Sequence, residues 1–188
     1  MKDLYISTDA FWSLALATIE VFRKECFGFL VGYETSDGWI VQRAVPHQTA
    51  KRSHLWVEPQ ALPRRRIEKA LHSLALGEKI VGWFHSHPES SGRPAQATPS
   101  EEDVAFSEEH DVILVLAIRS QRKNVGWSQN HDGSISGSIG DYHVILGAFA
   151  KKRGGEVDRL RVHCAYAHGF KPLRHSYPKA LDEEQMVA

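Results

Sequence analysis

Short apolar runs, several of them alternating with polar residues, divide the chain into segments of strand length. The most strand-like is the buried-type run "DVILVLAIR" at 111–119. The runs "CFGFLVGYE" and "WIVQRAV" flank "TSDG", which predicts a hairpin with a glycine in its turn. Further strands are predicted at "DLYIS", "SHLWVEP", "KIVGWFHSH", "NVGWSQN", "SISGSIG" and "RLRVHCAYA".

Three segments have helical patterns instead. The first is predicted to begin after a cap among residues 7–9 and to run to about Lys24. The second is "PQALPRRRIEKALHSLALG", with Gly77 as its stop, and the third is "TPSEEDVAFSEEH". Because the helices are interleaved with hairpins rather than with regular βαβ units, the pattern predicts the α/β class, with a mixed β-sheet flanked by helices.

The amino-acid composition limits which binding partners and which cellular location we expect. Lysine plus arginine equals aspartate plus glutamate at 23 each in 188 residues, so no net charge points to nucleic acid or to a membrane surface. Local basic runs at 64–66 and 151–153 are interpreted as solvated faces. No signal peptide or membrane-spanning run is predicted, and Cys26 and Cys164 form no CxxC pair. We therefore expect a reduced, soluble, cytoplasmic protein.

Two histidines stand one residue apart where an apolar strand is predicted to end, in "VGWFHSHPES". Residues i and i+2 of a strand point to the same face, so His85 and His87 converge while Ser86 points away. This geometry suits two nitrogen ligands of one metal ion. An isolated pair of this kind is more often a surface or hydrogen-bonded pair, so the interpretation depends on further ligands.

The helix predicted after residue 97 offers a third ligand. Thr98 is predicted as its N-cap and Glu101 as the capping-box partner. In that register Ser100 and Asp103 lie on one face of the helix, free for another task. The alternative is that Ser100 and Asp103 themselves form the capping box.

An aspartate facing two strand histidines would give zinc three protein ligands and an open fourth position, which is typical of catalytic sites. Such chemistry also needs a general base and a donor for the developing oxyanion. Ser100 is the candidate donor. The candidate base is Glu25, where the first helix is predicted to end and an apolar strand to begin. An ordinary solvated glutamate is the alternative interpretation of that position.

Together these residues resemble the JAMM, or MPN-type (JAB domain), zinc metallopeptidases. The family pattern is E-x-x-G-x-x-x-G, then H-x-H-P, then S-x-x-D. This sequence has "ECFGFLVG" from Glu25, "HSHP" from His85 and "SEED" from Ser100, in the same order. One departure is the segment between His87 and Asp103, which is several residues longer than usual. It is predicted to bulge, and either to displace Asp103 from the metal or to shape a substrate groove.

The resemblance implies one Zn²⁺ per chain, bound by His85, His87 and Asp103. Glu25 would take a proton from the zinc-bound water and return it to the leaving amine, while Ser100 would donate to the oxyanion. The implied fold is a cytidine-deaminase-like layered domain over 1–140. Residues 141–188 would form an extension that packs on this domain or forms a homodimer.

The implied activity is that of a peptidase or isopeptidase acting after the C-terminal tail of ubiquitin or a ubiquitin-like protein, either in deconjugation or in precursor processing. The extended tail of such a substrate usually lies beside a sheet edge. A variant of the same chemistry would trim the C-terminus of a sulfur-carrier protein. A non-catalytic MPN scaffold is the alternative from another class, although this chain retains every ligand position.

Overall fold

The computed structural model describes residues 1–48, 51–52, 57–58, 61–74, 77–89 and 94–167. The helices among these residues are α1 (Thr8–Glu20), α2 (Ala61–Leu74) and α3 (Glu101–Phe106). The strands are β1 (Asp3–Ile6), β2 (Phe27–Glu34), β3 (Gly38–Pro46), β4 (Lys51–Arg52), β5 (Val57–Glu58), β6 (Lys79–Pro88), β7 (Val112–Ser120), β8 (Ser128–Gln129), β9 (Ile135–Ile139), β10 (Tyr142–Lys151) and β11 (Val157–Cys164).

Seven strands form a closed ring in the order β11, β1, β3, β2, β6, β7 and β10, because β10 also pairs with β11. Strands β9 and β8 extend from β10, while β4 and β5 form a separate pair. The pairs β1–β11, β1–β3 and β6–β7 are parallel, and β2–β6 and β7–β10 are among the antiparallel pairs. The predicted α/β class with a mixed sheet is confirmed. The cytidine-deaminase-like layering stays a prediction, since the sheet curls into a ring.

The sheet separates two apolar clusters. The larger one includes the buried face of α1 and side chains from most of the ring. The smaller one lies on the opposite face and consists of Phe27, Phe29, Trp83, Ile113, Val115 and Phe149. Strand alternation therefore continues from Trp83 to His85 and His87, which places both histidines on the face of the smaller cluster.

Helix α1 begins as the sequence predicts and ends earlier. Its cap is Ser7, whose Oγ accepts a hydrogen bond from the Ala10 amide at 3.1 Å. The helix buries Phe11 and Leu14 and packs against β3. It ends at Glu20 rather than near Lys24, because residues 21–24 turn toward β2. This early end leaves a short connection in which Glu25 lies.

The predicted hairpin between β2 and β3 and the central strand β7 are both confirmed. The segment "SHLWVEP" lies mostly outside the described residues. Residues 142–164 supply β10 and β11 to the ring, so a domain boundary at residue 140 would fall in the tight turn between β9 and β10. Among the described elements, no helix has the length and apolar character needed to cross a bilayer.

Candidate metal centre

The end of β6 positions the two histidines. His85 pairs with Phe27 of β2 and with Val115 of β7, and His87 pairs with Ala117. Their Nε2 atoms lie 2.9 Å apart. The His85 ring is buried and stacks on Trp83, with ring centroids 5.0 Å apart. Backbone pairing on both sides of β6 thus holds the two rings on one face.

Asp103 of α3 completes the group. Its Oδ2 atom lies 3.2 Å from His85 Nε2 and 3.9 Å from His87 Nε2. An ion with ligand distances of about 2.0–2.1 Å in tetrahedral geometry separates its ligand atoms by roughly 3.3–3.4 Å. The observed separations lie around this value, so one ion fits the three atoms. In the described part of the chain, no other group of three histidine, cysteine or acidic residues converges in this way.

The segment between His87 and Asp103 does not displace the aspartate. Instead it contributes the carbonyl of Gln96, which lies 2.9 Å from His87 Nδ1. A carbonyl only accepts hydrogen bonds, so Nδ1 carries the proton and the lone pair of Nε2 is left for a metal. No sequence pattern indicates this contact. His85 Nδ1, by contrast, is buried and has no hydrogen-bond partner among the described residues.

The charge states at neutral pH also suit a metal. Burial opposes ionisation of Asp103, but hydrogen bonds from His85 and Ser100 outweigh it and hold its pKa at about 2. Burial and the neighbouring His85 lower the pKa of His87. Asp103 is therefore a carboxylate and His87 a neutral imidazole, the forms in which these side chains bind metals.

Ser100, not Thr98, caps α3. The Asp103 amide donates to Ser100 Oγ at 3.1 Å, and the Ser100 amide donates to Asp103 Oδ2 at 2.7 Å. The predicted cap at Thr98 and the predicted partner Glu101 are therefore wrong, because extended backbone persists through Ser100 and the helix starts at Glu101. Ser100 and Asp103 themselves form the capping box, which was the alternative interpretation, and are therefore not left free by a cap at Thr98. The Ser100 hydroxyl donates to Asp103 Oδ2 at 2.8 Å, so the same pair caps the helix and orients the ligand.

Two distant side chains anchor α3. Lys151 Nζ donates to the carbonyls of Val104 at 2.8 Å and Ser107 at 2.6 Å. Trp83 Nε1 donates to Ser107 Oγ at 3.0 Å, and that hydroxyl donates to the Asp103 carbonyl at 2.9 Å. Lys151 therefore does not lie on a solvated face as predicted. Its position at the end of a buried strand was the available signal for an inward-facing contact.

Glu25 lies on the face of the histidines. The Cys26 amide donates to Ser86 Oγ at 2.9 Å, and extending the β2–β6 register by two residues beyond Phe27 and His85 places Glu25 beside His87. Glu25 is only 9 % exposed, which contradicts the interpretation as a solvated glutamate. Burial raises its pKa to about 7; His85 opposes this rise, and Asp103 and Glu102 add to it.

Comparison with known proteins adds a family and a fold. The model of the family described as prokaryotic homologs of the JAB domain matches residues 8–130. The chain is also 33% identical over 87 residues to NAD(+) hydrolase TcpA of Theionarchaea archaeon (strain DG-70-1). That match covers 46% of this chain and 25% of the relative, so the chain spans about a quarter of that protein's length.

Two solved structures are similar overall. Protein DSY2949 from Desulfitobacterium hafniense gives a TM-score of 0.50 at 18% identity, covering 86% of this chain and 92% of that one. A protein from Salinibacter ruber (strain DSM 13855) gives 0.49 at 19% identity, covering 86% and 90%. At this identity, the similarity to DSY2949 supports the fold alone.

Proposed function

Since this chain belongs to the family of prokaryotic homologs of the JAB domain, we propose that it is a zinc-dependent peptidase or isopeptidase. The proposed target is the bond after the C-terminal tail of a ubiquitin-like protein. One observation carries the proposal: three ligand atoms from His85, His87 and Asp103 converge on one point, with the buried carboxylate of Glu25 on the same face.

The ligand set favours zinc. Two imidazoles and one carboxylate are ligands that zinc accepts in tetrahedral sites, and three protein ligands leave one position for water or substrate. When bound, zinc supplies a Lewis acid that polarises a carbonyl and lowers the pKa of water.

Glu25 is the proposed general base. A base works best when its pKa is close to the working pH, and burial brings the pKa of Glu25 to about 7. Zinc would lower this value when bound, because a nearby cation favours the carboxylate. The carboxylate accepts a proton from the attacking water and, once protonated, donates it to the leaving amine.

Ser100 is the proposed oxyanion donor. Its oxygen is held in place by the Asp103 amide, while its proton points to Asp103 Oδ2. Rotation about the C–O bond redirects that proton toward a reacting carbonyl without moving the oxygen. Capping and oxyanion stabilisation are therefore compatible in one side chain.

The proposal includes the variant in which the enzyme trims the C-terminus of a sulfur-carrier protein. The alternative, a non-catalytic scaffold, would bind a protein partner without cleaving it. Both the family and the name of the relative support a hydrolase. The activity in that name belongs to a protein about four times longer than the matched segment, so NAD⁺ serves here as a comparison substrate.

The test uses the full chain loaded with one equivalent of zinc. Substrates are ubiquitin and a bacterial sulfur-carrier protein, each joined through its C-terminal Gly-Gly to a fluorogenic amine, and NAD⁺ in parallel. We expect amide cleavage that stops when zinc is removed. Glu25→Gln should lower kcat by about 10²–10⁴-fold while the zinc content stays unchanged.

The matched control is Glu20→Gln, which neutralises an exposed carboxylate on α1 and should cleave like the parent chain. Cleavage that survives in Glu25→Gln contradicts the role of Glu25. Zinc binding without cleavage of any amide supports the scaffold, and consumption of NAD⁺ alone moves the function toward that of the relative.

A further inference from the structure

A cavity lies on the metal-centre face of the sheet, over the neighbouring strands β7 and β10. Its lining includes Glu89, Pro94, Ala95, Arg119, His143 and Ile145, and we refer to it as the β7–β10 pocket. Arg119 and His143 are cross-strand partners on β7 and β10. Strand alternation from Val115 and Phe149, which belong to the smaller apolar cluster, puts both side chains on the face that carries His85 and His87.

The β7–β10 pocket and the metal centre share a wall. His87 pairs with Ala117, which also lines the pocket. Pro94 and Ala95 line the pocket, and the next residue, Gln96, accepts the hydrogen bond from His87. A group bound in the pocket therefore lies beside the strand pair and the segment that support His87.

The polar groups of the pocket lack partners. His143 is 8 % exposed, and its Nδ1 atom is buried without a hydrogen-bond partner among the described residues. Burial, with a contribution from Arg119, lowers the pKa of His143, so its imidazole is neutral at pH 7. Among the described residues, Arg119 forms no salt bridge with a carboxylate, and Glu89 on the same wall is exposed. A buried imidazole and an exposed guanidinium without a carboxylate partner thus line the same pocket.

We propose that the β7–β10 pocket binds a carboxylate group of the substrate near the scissile bond, with Arg119 as the charged partner and the His143 imidazole as a second donor. A guanidinium presents a planar pair of donors that matches a carboxylate. The cavity volume is about 50 Å³, whereas sites for whole ligands occupy about 300–1,000 Å³. The pocket therefore accepts one functional group of a longer chain, and Glu89 limits its affinity for anions by like-charge repulsion.

This inference rests on the proposed function, because it assigns an acidic residue or a C-terminal carboxylate to the peptide that is cleaved. Its test does not depend on cleavage. The full chain is used free of zinc, so that a carboxylate cannot bind the metal, and its histidine side chains carry ¹⁵N. The His143 signal is assigned by its loss in His143→Gln.

Three peptides are titrated by NMR. The first is acetyl-Gly-Gly-Glu-Gly-Gly-amide, the second replaces Glu with Gln, and the third is the Gln peptide with a free C-terminus. We expect at least one carboxylate peptide to shift the His143 signal and to bind about tenfold more tightly than the neutral one. Comparison of the first and third peptides distinguishes a side-chain carboxylate from a terminal one.

Variants assign the effect to the pocket. Arg119→Gln should remove the preference for a carboxylate, and Glu89→Gln should increase it. The control is Arg153→Gln, which removes the same charge from a side chain that is 92% exposed, and it should leave the preference unchanged.

Equal binding of the three peptides, or a preference that survives in Arg119→Gln, overturns the proposal. Carboxylate binding in a chain that cleaves nothing with zinc contradicts the proposed function alone. Cleavage without any effect of acidic residues contradicts the pocket alone.

Discussion

The two halves of the metal centre are built differently. His85 and His87 end a ten-residue strand that is paired on both sides within the ring. Asp103 lies on a helix of six residues, none of them buried. Isolated helices shorter than about 12 residues are marginal in water, so α3 depends on its cap and on its contacts with Trp83 and Lys151. The strand half is held by backbone hydrogen bonds and the helix half by a few side chains.

This difference indicates where the site is vulnerable. A strand in the middle of a sheet keeps its register when one side-chain contact is lost, because many backbone bonds remain. Helix α3 lacks such additional backbone bonds, so the loss of any one of its side-chain contacts should move Asp103. Variants that affect one half at a time test this comparison.

The largest effect is expected when a ligand itself is removed. Asp103→Ala and His87→Ala should each abolish stoichiometric zinc binding, measured by elemental analysis of the full chain after reconstitution with zinc. His131→Ala, which removes an exposed histidine outside the centre, should retain about as much zinc as the parent chain. Zinc retained in Asp103→Ala would show that the helix half contributes no ligand, and the comparison would fail.

Loss of an anchor of α3 comes next. Lys151→Met removes both hydrogen bonds from Nζ to the end of the helix and should weaken zinc binding by about 10–100-fold, as changes around metal ligands do. Competition with a chelating dye measures this affinity. Lys152→Met is the control, since Lys152 forms a salt bridge with Asp158. Unchanged affinity in Lys151→Met would mean that the cap alone positions Asp103.

A smaller effect is expected on the strand half. A Cβ atom at Gly147 would lie 2.3 Å from the carbonyl oxygen of Ala97, so Gly147→Ala must shift the segment that carries Gln96. His87 would lose an orienting contact and keep its strand pairing, and zinc affinity should fall about tenfold. Gly126→Ala is the control, because a Cβ there meets no atom within 4 Å. If Gly147→Ala weakens zinc binding more than Lys151→Met does, the helix is not the weaker half.

The smallest effect concerns stability rather than binding. Burial raises the pKa of Glu25 from 4.5 to about 7 in the folded chain, so the folded state binds more protons than the unfolded state between these values. The contribution of Glu25 to the free energy of unfolding therefore falls as the pH rises from 4.5 to 7, and it is constant above pH 7. Without zinc, Glu25→Gln should therefore be more stable at pH 8 by about 1–2 kcal/mol, or a few degrees in Tm, and unchanged near pH 4.

Thermal unfolding at several pH values checks this prediction, with Glu20→Gln as the control. A gain of stability that is the same at pH 4 and pH 8 would indicate a packing effect instead of a titration. Glu25 would then contribute to the strand half of the metal centre through packing and not through its charge.

Sequence reasoning located the ligands better than their supports. The spacing of His85 and His87 and their place at a strand end were sufficient to put both rings on one face. The cap was assigned wrongly because Thr98 and Ser100 are equally good cap residues, and local spacing does not distinguish them. Lys151 was missed since its contact with Val104 spans 47 positions, and no local pattern encodes such a pair.

The ring closure was missed for the same reason. It depends on β1 pairing with β11, in which Asp3 lies opposite Arg161. Only the assembled sheet shows that the two ends of the described chain are neighbours.

Closure of the ring also limits how another polypeptide can attach. Each of its seven strands has a neighbour on both sides over at least part of its length, so the ring has no strand with a fully open edge to which an extended chain could be added. The described strands outside the ring are β4, β5 and β8, each two residues long, and β9, which has five residues and pairs with β10 along its length. An approaching tail would therefore find only short stretches of unpaired strand backbone among the described residues, and the same architecture limits edge-to-edge aggregation.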